Sequence, residues 1–319
     1  MKKNLAISLC ILAFAALSLS AKEPSVFLKP DGTYKFAQKD TCSLYLDVYN
    51  PASGSETSYQ GKQKPTVLFV FGGGFVDGSR NAKNYNPWFK MLTDDGYRVI
   101  SIDYRLGFKP YQHTKGIAFV KAMDNAIHMA VQDLFSATKY IIDNSSSLGV
   151  DPSRLVISGS SAGAITVLQA DYELCNETEE AKVLPEGYKY AGVISFSGAI
   201  FSHKGKVKYA DTPAPTLMLH GTADKVVNYN KIRLLNIGFY GSNAIAVQFS
   251  KFGYNYNILR FVGHGHDIAN MMAQTFNYQK TFLEKNVILG NKRVVDSSIN
   301  DPEIPVWKGS KNRKELYKN

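Results

Sequence analysis

The stretch Leu155 to Gly163, LVISGSSAG, narrows the folds open to this chain more than any other. The apolar run Leu155-Val156-Ile157 stops at Gly159-Ser160-Ser161-Ala162-Gly163 and passes directly into Ala164 to Ala170, which reads as helix. Reversing a strand into a helix over so few residues forces the turn residue into strained backbone angles, and only hydrogen side chains on either side avoid a collision. The pattern predicts strand, sharp turn and helix, with the Ser161 hydroxyl raised above a sheet edge beside a helix N-terminus. There the Ala162 amide can face a developing oxyanion. Gly-x-Ser-x-Gly also occurs in glycine-rich loops without any chemistry, so the flanking elements and the partners downstream decide its meaning.

The rest of the chain supplies strands and helices in alternation. Leu44 to Tyr49 alternates in the manner of an early antiparallel strand, and Thr66 to Phe71 is a continuous apolar run suited to a strand buried on both faces. That run ends at Gly72-Gly73-Gly74-Phe75, where the missing side chains let backbone amides approach a bound atom closely. Further strands are expected at Tyr97 to Asp103, Ala191 to Ser197, Pro215 to His220 and Asn257 to Val262. Helices are expected at Ala126 to Ile142, Tyr229 to Tyr240, Ala244 to Phe252 and Ile268 to about Lys285. The expected fold class is α/β, a mostly parallel central sheet with helices on both faces, and ligands bind such sheets beyond the strands' carboxyl ends. Gly72 to Gly74, Ser161, Asp224 and the His264-Gly265-His266 loop each follow directly on an expected strand, so four loops converge on one edge.

This constellation resembles the α/β-hydrolase superfamily, specifically its secreted bacterial esterase and lipase branch. The resemblance rests on the order Ser161, Asp224, His266, on the glycine loop upstream, and on Asp103-Tyr104-Arg105-Leu106-Gly107, and it covers the chain from about Leu44 to Lys285. Phe71 stands where that branch usually has histidine. The resemblance implies a serine hydrolase cleaving carboxylic esters through an acyl-enzyme. Ser161 would be the nucleophile, His266 the base and Asp224 the residue orienting it, with the amides of Gly73, Gly74 and Ala162 as oxyanion hole. No cofactor or metal is implied, and the substrate expected is a small-molecule or carbohydrate-linked ester of modest size, as in acetyl-xylan and feruloyl esterases.

Several alternatives stay open at this level. His264 and His266 both follow a glycine on one loop; Gly263-x-Gly265-His266 fits the family pattern, and Asp267 would then cap the final helix. Asp211 and Asp103 compete with Asp224, although Asp103 reads as structural and faces Arg105 in this scheme. His220 reads as a structural hydrogen-bonding residue, and His113, His128 and His203 as surface or packing residues. A secreted peptidase, or a hydrolase-fold binding protein without catalysis, would use the same framework.

At 319 residues, 45% of them hydrophobic, the chain suits one large domain, expected over 22–285, with small excursions near 106–125 and 173–190 and a basic extension over 286–319. Met1-Lys2-Lys3-Asn4 followed by LAISLCILAFAALSLSA reads as a signal peptide over 1–21, hence a secreted or periplasmic protein with no membrane anchor. Cys42 and Cys175 would then remain, paired or as two thiols. The net charge of +10 is scattered along the chain apart from the tail, which argues against nucleic acid as a partner.

Overall fold

The computed structural model describes residues 28–304 and residue 306, so the expected signal peptide and most of the basic tail lie outside the described residues. The chain opens with the antiparallel pair β1 (Gly32–Lys39) and β2 (Cys42–Tyr49), followed by a small hairpin, β3 (Ser58–Tyr59) and β4 (Lys62–Gln63). β5 (Thr66–Val70) leads through the glycine loop to α1 (Asn86–Asp94), and β6 (Arg98–Ile102) leads to α2 (Gly116–Asp143) and the short α3 (Ser145–Leu148). β7 (Leu155–Ser160) runs into α4 (Ala162–Cys175), and then come β8 (Gly192–Phe196), β9 (Ala199–Ser202) and β10 (Thr216–Gly221). β11 (Lys231–Leu234), β12 (Ile237–Gly241), α5 (Ser242–Phe252), β13 (Tyr256–Phe261), α6 (Phe276–Phe282) and β14 (Val295–Ile299) complete it.

Nine strands form the main sheet in the order β1-β2-β6-β5-β7-β8-β10-β13-β14, antiparallel across β1, β2 and β6 and parallel from there on. All residues of β5, β7, β8 and β10 are buried, as expected for strands covered on both faces. The aromatic residues of α1 do much of that covering on one side: Trp88 and Phe89 meet Phe69 edge-on at ring-centroid distances of 5.1 and 5.4 Å. From β5 the chain crosses to β6 on one side, and from β7 it moves to β8 on the other. The carboxyl ends of β5 and β7 therefore flank a crevice where the winding direction reverses.

Four expectations are corrected. Tyr229 to Tyr240 is not helical: it contains the hairpin β11–β12, which pairs with β9 into a separate three-stranded sheet. The region 106–125 is only partly an excursion, because α2 begins at Gly116, ten residues before the expected start. The segment after Ile268 is a 3₁₀ turn, then α6, then a π-helical turn over Leu283–Ile288, rather than one helix. The sheet also continues past the boundary expected at 285, since β14 adds an edge strand parallel to β13.

Candidate active site

Ser161 is the hinge between β7 and α4, with φ +51° and ψ −112°, outside the conformations an L-residue adopts freely. Two glycines make the turn possible by contact distance. A Cβ on Gly159 would stand 2.3 Å from the carbonyl of Gly163, and one on Gly163 would stand 2.0 Å from the carbonyl oxygen of Val70, the last residue of β5. The serine turn is thus pressed directly against the strand that feeds the glycine loop.

The Ser161 Oγ lies 2.7 Å from His266 Nε2, and His266 Nδ1 lies 2.7 Å from Asp224 Oδ2. Since a carboxylate only accepts, the His266 Nδ1 carries the hydrogen, and Nε2 is left to accept from the serine hydroxyl. All three residues are buried. Asp224 follows β10, its Oδ1 taking the amides of Val226 and Val227 at 2.8 and 3.1 Å. Burial alone would raise the Asp224 pKa, but hydrogen bonds from His220 and His266 outweigh it and hold the carboxyl well below the usual range. His220 is therefore structural, as expected: its Nε2 faces Val227 O at 3.0 Å and Asp224 Oδ2 at 3.2 Å, and its Nδ1 faces Ser242 Oγ at 2.8 Å.

The competing residues are elsewhere. His264 Nδ1 is 2.6 Å from Asp267 Oδ2, so this pair closes on itself and Asp267 caps no helix; the 3₁₀ turn that opens at His266 has Gly265 at its N-cap and no side-chain cap. Asp103 binds Arg80 at 2.7 Å and not Arg105, whose Nε lies 3.0 and 2.9 Å from the two carboxylate oxygens of Asp133. Asp211 pairs with Lys189 in solvent at 2.6 Å. His113 is exposed, His203 faces Asp124 at 3.7 Å, and His128 lies 3.3 Å from Asp124 and 3.4 Å from Glu173. Cys42 is exposed and Cys175 buried, and both are free thiols.

Gly74, Ser161 and Ala162 line one cleft of about 300 Å³ whose other walls are mainly apolar, among them Phe75, Phe119, Met123, Ile165, Ile232 and Phe239. Gly73 stands just behind it with φ +127°, and a Cβ there would meet Asp77 O at 1.8 Å. Among the described residues no backbone acceptor meets the amide of Gly73 or Gly74, and the Ala162 amide opens α4, where a helix offers no internal partner. The loop has its own anchors in place of the usual histidine: Tyr85 Oη accepts from the Gly72 amide, and Tyr104 Oη donates to the Phe71 carbonyl, both at 3.1 Å. The Phe71 ring stacks on Tyr104 at 4.4 Å. Tyr85 carries no sequence signal for this role, and Tyr104 has one only through the Asp-Tyr-Arg-Leu segment. The arrangement can accept a proton from Ser161 and offer amides to an anion beside it, which is what acyl transfer requires.

A family model described as BD-FAE matches residues 46–201, from β2 to β9. Lipase 2 of Geotrichum candidum is 33% identical over 159 residues, 48% of this chain and 26% of that protein. Phenmedipham hydrolase of Pseudarthrobacter oxydans is 30% identical over 137 residues, 43% of this chain and 24% of that protein. The chain thus spans about a quarter of the length of these curated relatives. Among solved structures, Thermogutta terrifontis esterase 2 phosphonylated by cyclosarin superposes with a TM-score of 0.57 at 20% identity, covering 79% of this chain and 92% of that one. The propionate-bound form of the same esterase gives 0.56 at 21% identity, covering 79% and 93%. With its mostly parallel nine-stranded sheet, its serine turn after β7 and this agreement with solved esterases, the chain has the α/β-hydrolase fold.

Proposed function

We propose that the protein is a serine esterase cleaving carboxylic esters of modest acyl size. The observation that carries this is the unbroken hydrogen-bond chain Ser161–His266–Asp224, opening on an apolar cleft also lined by Gly74 and Ala162. Ser161 Oγ attacks the ester carbonyl carbon as its proton passes to His266 Nε2, and Asp224 stabilises the imidazolium through Nδ1. The resulting oxyanion takes hydrogen bonds from the Ala162 and glycine-loop amides, each worth about 3–4 kcal/mol by analogy with measured cases. His266 then protonates the departing alkoxide. In the second half-reaction it deprotonates a water that attacks the acyl carbon, then returns that proton to Ser161 Oγ as the bond between Oγ and the acyl carbon breaks and the acid leaves. The cleft of about 300 Å³ suits a short to medium acyl chain. A carbohydrate as the alcohol, and export by the N-terminal segment, belong to the same reading and rest on the sequence.

The test is hydrolysis of p-nitrophenyl esters from acetate to octanoate. Wild type is expected to turn over the shorter esters, Ser161→Ala and His266→Ala to lose about 10⁴-fold or more in kcat, and His264→Ala to keep most activity. Absence of ester turnover by wild type, or full activity of Ser161→Ala, would overturn the proposal. A dead His264→Ala beside an active His266→Ala would keep the serine and exchange the base.

A further inference from the structure

The hairpin β11–β12 is amphipathic in a way the cleft does not use up. Its register pairs Ile232 with Phe239 and Leu234 with Ile237, so these four side chains share one face, while Lys231 and Arg233 lie on the other. Ile232 and Phe239 line the cleft, but the same apolar stripe runs on past it to the tip, where Leu234 is 78% and Leu235 83% exposed. Leu235 has φ +53°, a turn position that glycine or asparagine fills more readily, and its side chain is exposed at the β11–β12 turn. Val226, 44% exposed, adds apolar surface at the cleft, and Ile117 at the start of α2 is 77% exposed two residues before the cleft-lining Phe119.

The charges around this rim are mostly positive, the carboxylate of Asp124 beside Met123 being turned to His128 and His203. Lys204 and Lys206 flank Gly205, whose amide donates to Asn236 O at the hairpin turn, Lys231 and Arg233 belong to the hairpin itself, and Lys225 precedes the cleft-lining Val226. Lys115 stands at the N-cap of α2 and Lys121 lies in its first turns, beside the cleft-lining Val120. All seven are exposed and none pairs with a carboxylate among the described residues. The sequence contains no Asp or Glu from Lys225 to His266, from Gly187 to Ala210, or from Tyr104 to Met123. Exposed apolar side chains inside a collar of unpaired cations are complementary to an anionic lipid–water interface, where apolar groups enter the acyl boundary and lysines meet the headgroups.

We infer that the Leu234-Leu235 tip docks the protein onto an anionic lipid surface with the cleft mouth facing that surface. This does not rest on the ester-hydrolase reading, because binding is read without turnover. The experiment is flotation with vesicles of phosphatidylcholine alone or with 30% phosphatidylglycerol, using a chain from residue 22, which keeps every element described and omits the N-terminal apolar run. Wild type is expected to partition onto the anionic vesicles and to be released as salt is raised from 0.05 to 0.5 M. Leu234→Ser/Leu235→Ser is expected to lower the partition coefficient at least tenfold at unchanged melting temperature. Should that variant fold poorly, Lys231→Glu/Arg233→Glu tests the same surface through its charge and is expected to abolish the preference for anionic vesicles. No partition by wild type, equal partition onto neutral vesicles, or binding indifferent to the folded variants would overturn the inference. So would a dimer in solution that the Leu234/Leu235 variant dissolves, since a second copy of the chain would then occupy the tip.

Discussion

Ser161 carries backbone strain at the residue proposed as nucleophile. Holding a side chain at φ +51° and ψ −112° costs about 1–3 kcal/mol, and the surroundings over-determine it: its amide donates to Phe196 O at 2.9 Å, and both neighbouring glycines pack against backbone. Two replacements that remove the same hydroxyl should therefore differ. Ser161→Gly relieves the strained Cβ and Ser161→Ala keeps it, while glycine's extra freedom in the unfolded chain returns about 0.5–1 kcal/mol. Ser161→Gly is expected to be the more stable by roughly 1 kcal/mol, or about 2–4 °C in melting temperature. Scanning calorimetry of the two variants reads this directly, and the opposite order would mean that the turn is not strained. Alanine normally outranks glycine at the start of a helix core, so the reversal is specific to this geometry.

At the scale of elements, the glycine loop after β5 is held by tyrosines from two different segments. Removing the Tyr85 hydroxyl leaves the buried Gly72 amide without its acceptor, which costs about 1–3 kcal/mol and lets the following amides drift. An oxyanion contact exists only in the transition state, so Tyr85→Phe should lower kcat about tenfold with little change in KM. A rise in KM at constant kcat would instead make the loop part of substrate binding. How much was legible in the sequence follows the same division. Strands buried on both faces announce themselves as apolar runs, and the serine turn by its glycines, so the sheet class could be foreseen. The resemblance then pointed to Ser161, Asp224 and His266, which the fold brings within hydrogen-bond distance of one another. The β11–β12 hairpin could not, because its turn, Leu235-Asn236, lacks the glycine that marks such turns, and Leu234, Leu235 and Ile237 blur the alternation. The first turns of α2 were hidden because their apolar residues face several ways, Ile117 into solvent, Phe119, Val120 and Met123 towards the cleft and Ala122 into the core. β14, Val-Asp-Ser-Ser-Ile, has the polar composition of an edge strand and no apolar run to find. Tyr85 has no partner nearby in sequence, and only the folded chain brings it under Gly72.

Over the whole molecule, α4 connects the reactive edge to the opposite side of the core. It begins just after Ser161, is buried along nearly its full length, and carries two carboxyl groups into the interior, Asp171 and Glu173. Burial pushes Asp171 up to about 7, against one long hydrogen bond of 3.4 Å from the Ala214 amide, and it pushes Glu173 up to about 6 against His128 and Gln169. A carboxyl whose folded pKa lies above its unfolded value holds its proton in the folded state after the unfolded chain has lost it. Folding stability therefore falls as pH rises from the unfolded value near 4 through the folded one. For Asp171 a displacement of about three pH units corresponds to an upper bound of roughly 4 kcal/mol lost between pH 4 and pH 7. Asp224 acts with the opposite sign, its depressed pKa giving stability that is present above pH 4 and lost in acid. The melting temperature should consequently peak on the acid side of neutrality and decline towards pH 8. Asp171→Asn keeps the shape and removes the charge, so it is expected to flatten that decline and to exceed wild type in stability at pH 8. Thermal melts of both proteins from pH 4 to pH 8 decide the matter: parallel curves would show that Asp171 keeps its charge in the folded protein and that the decline, if present, comes from another group.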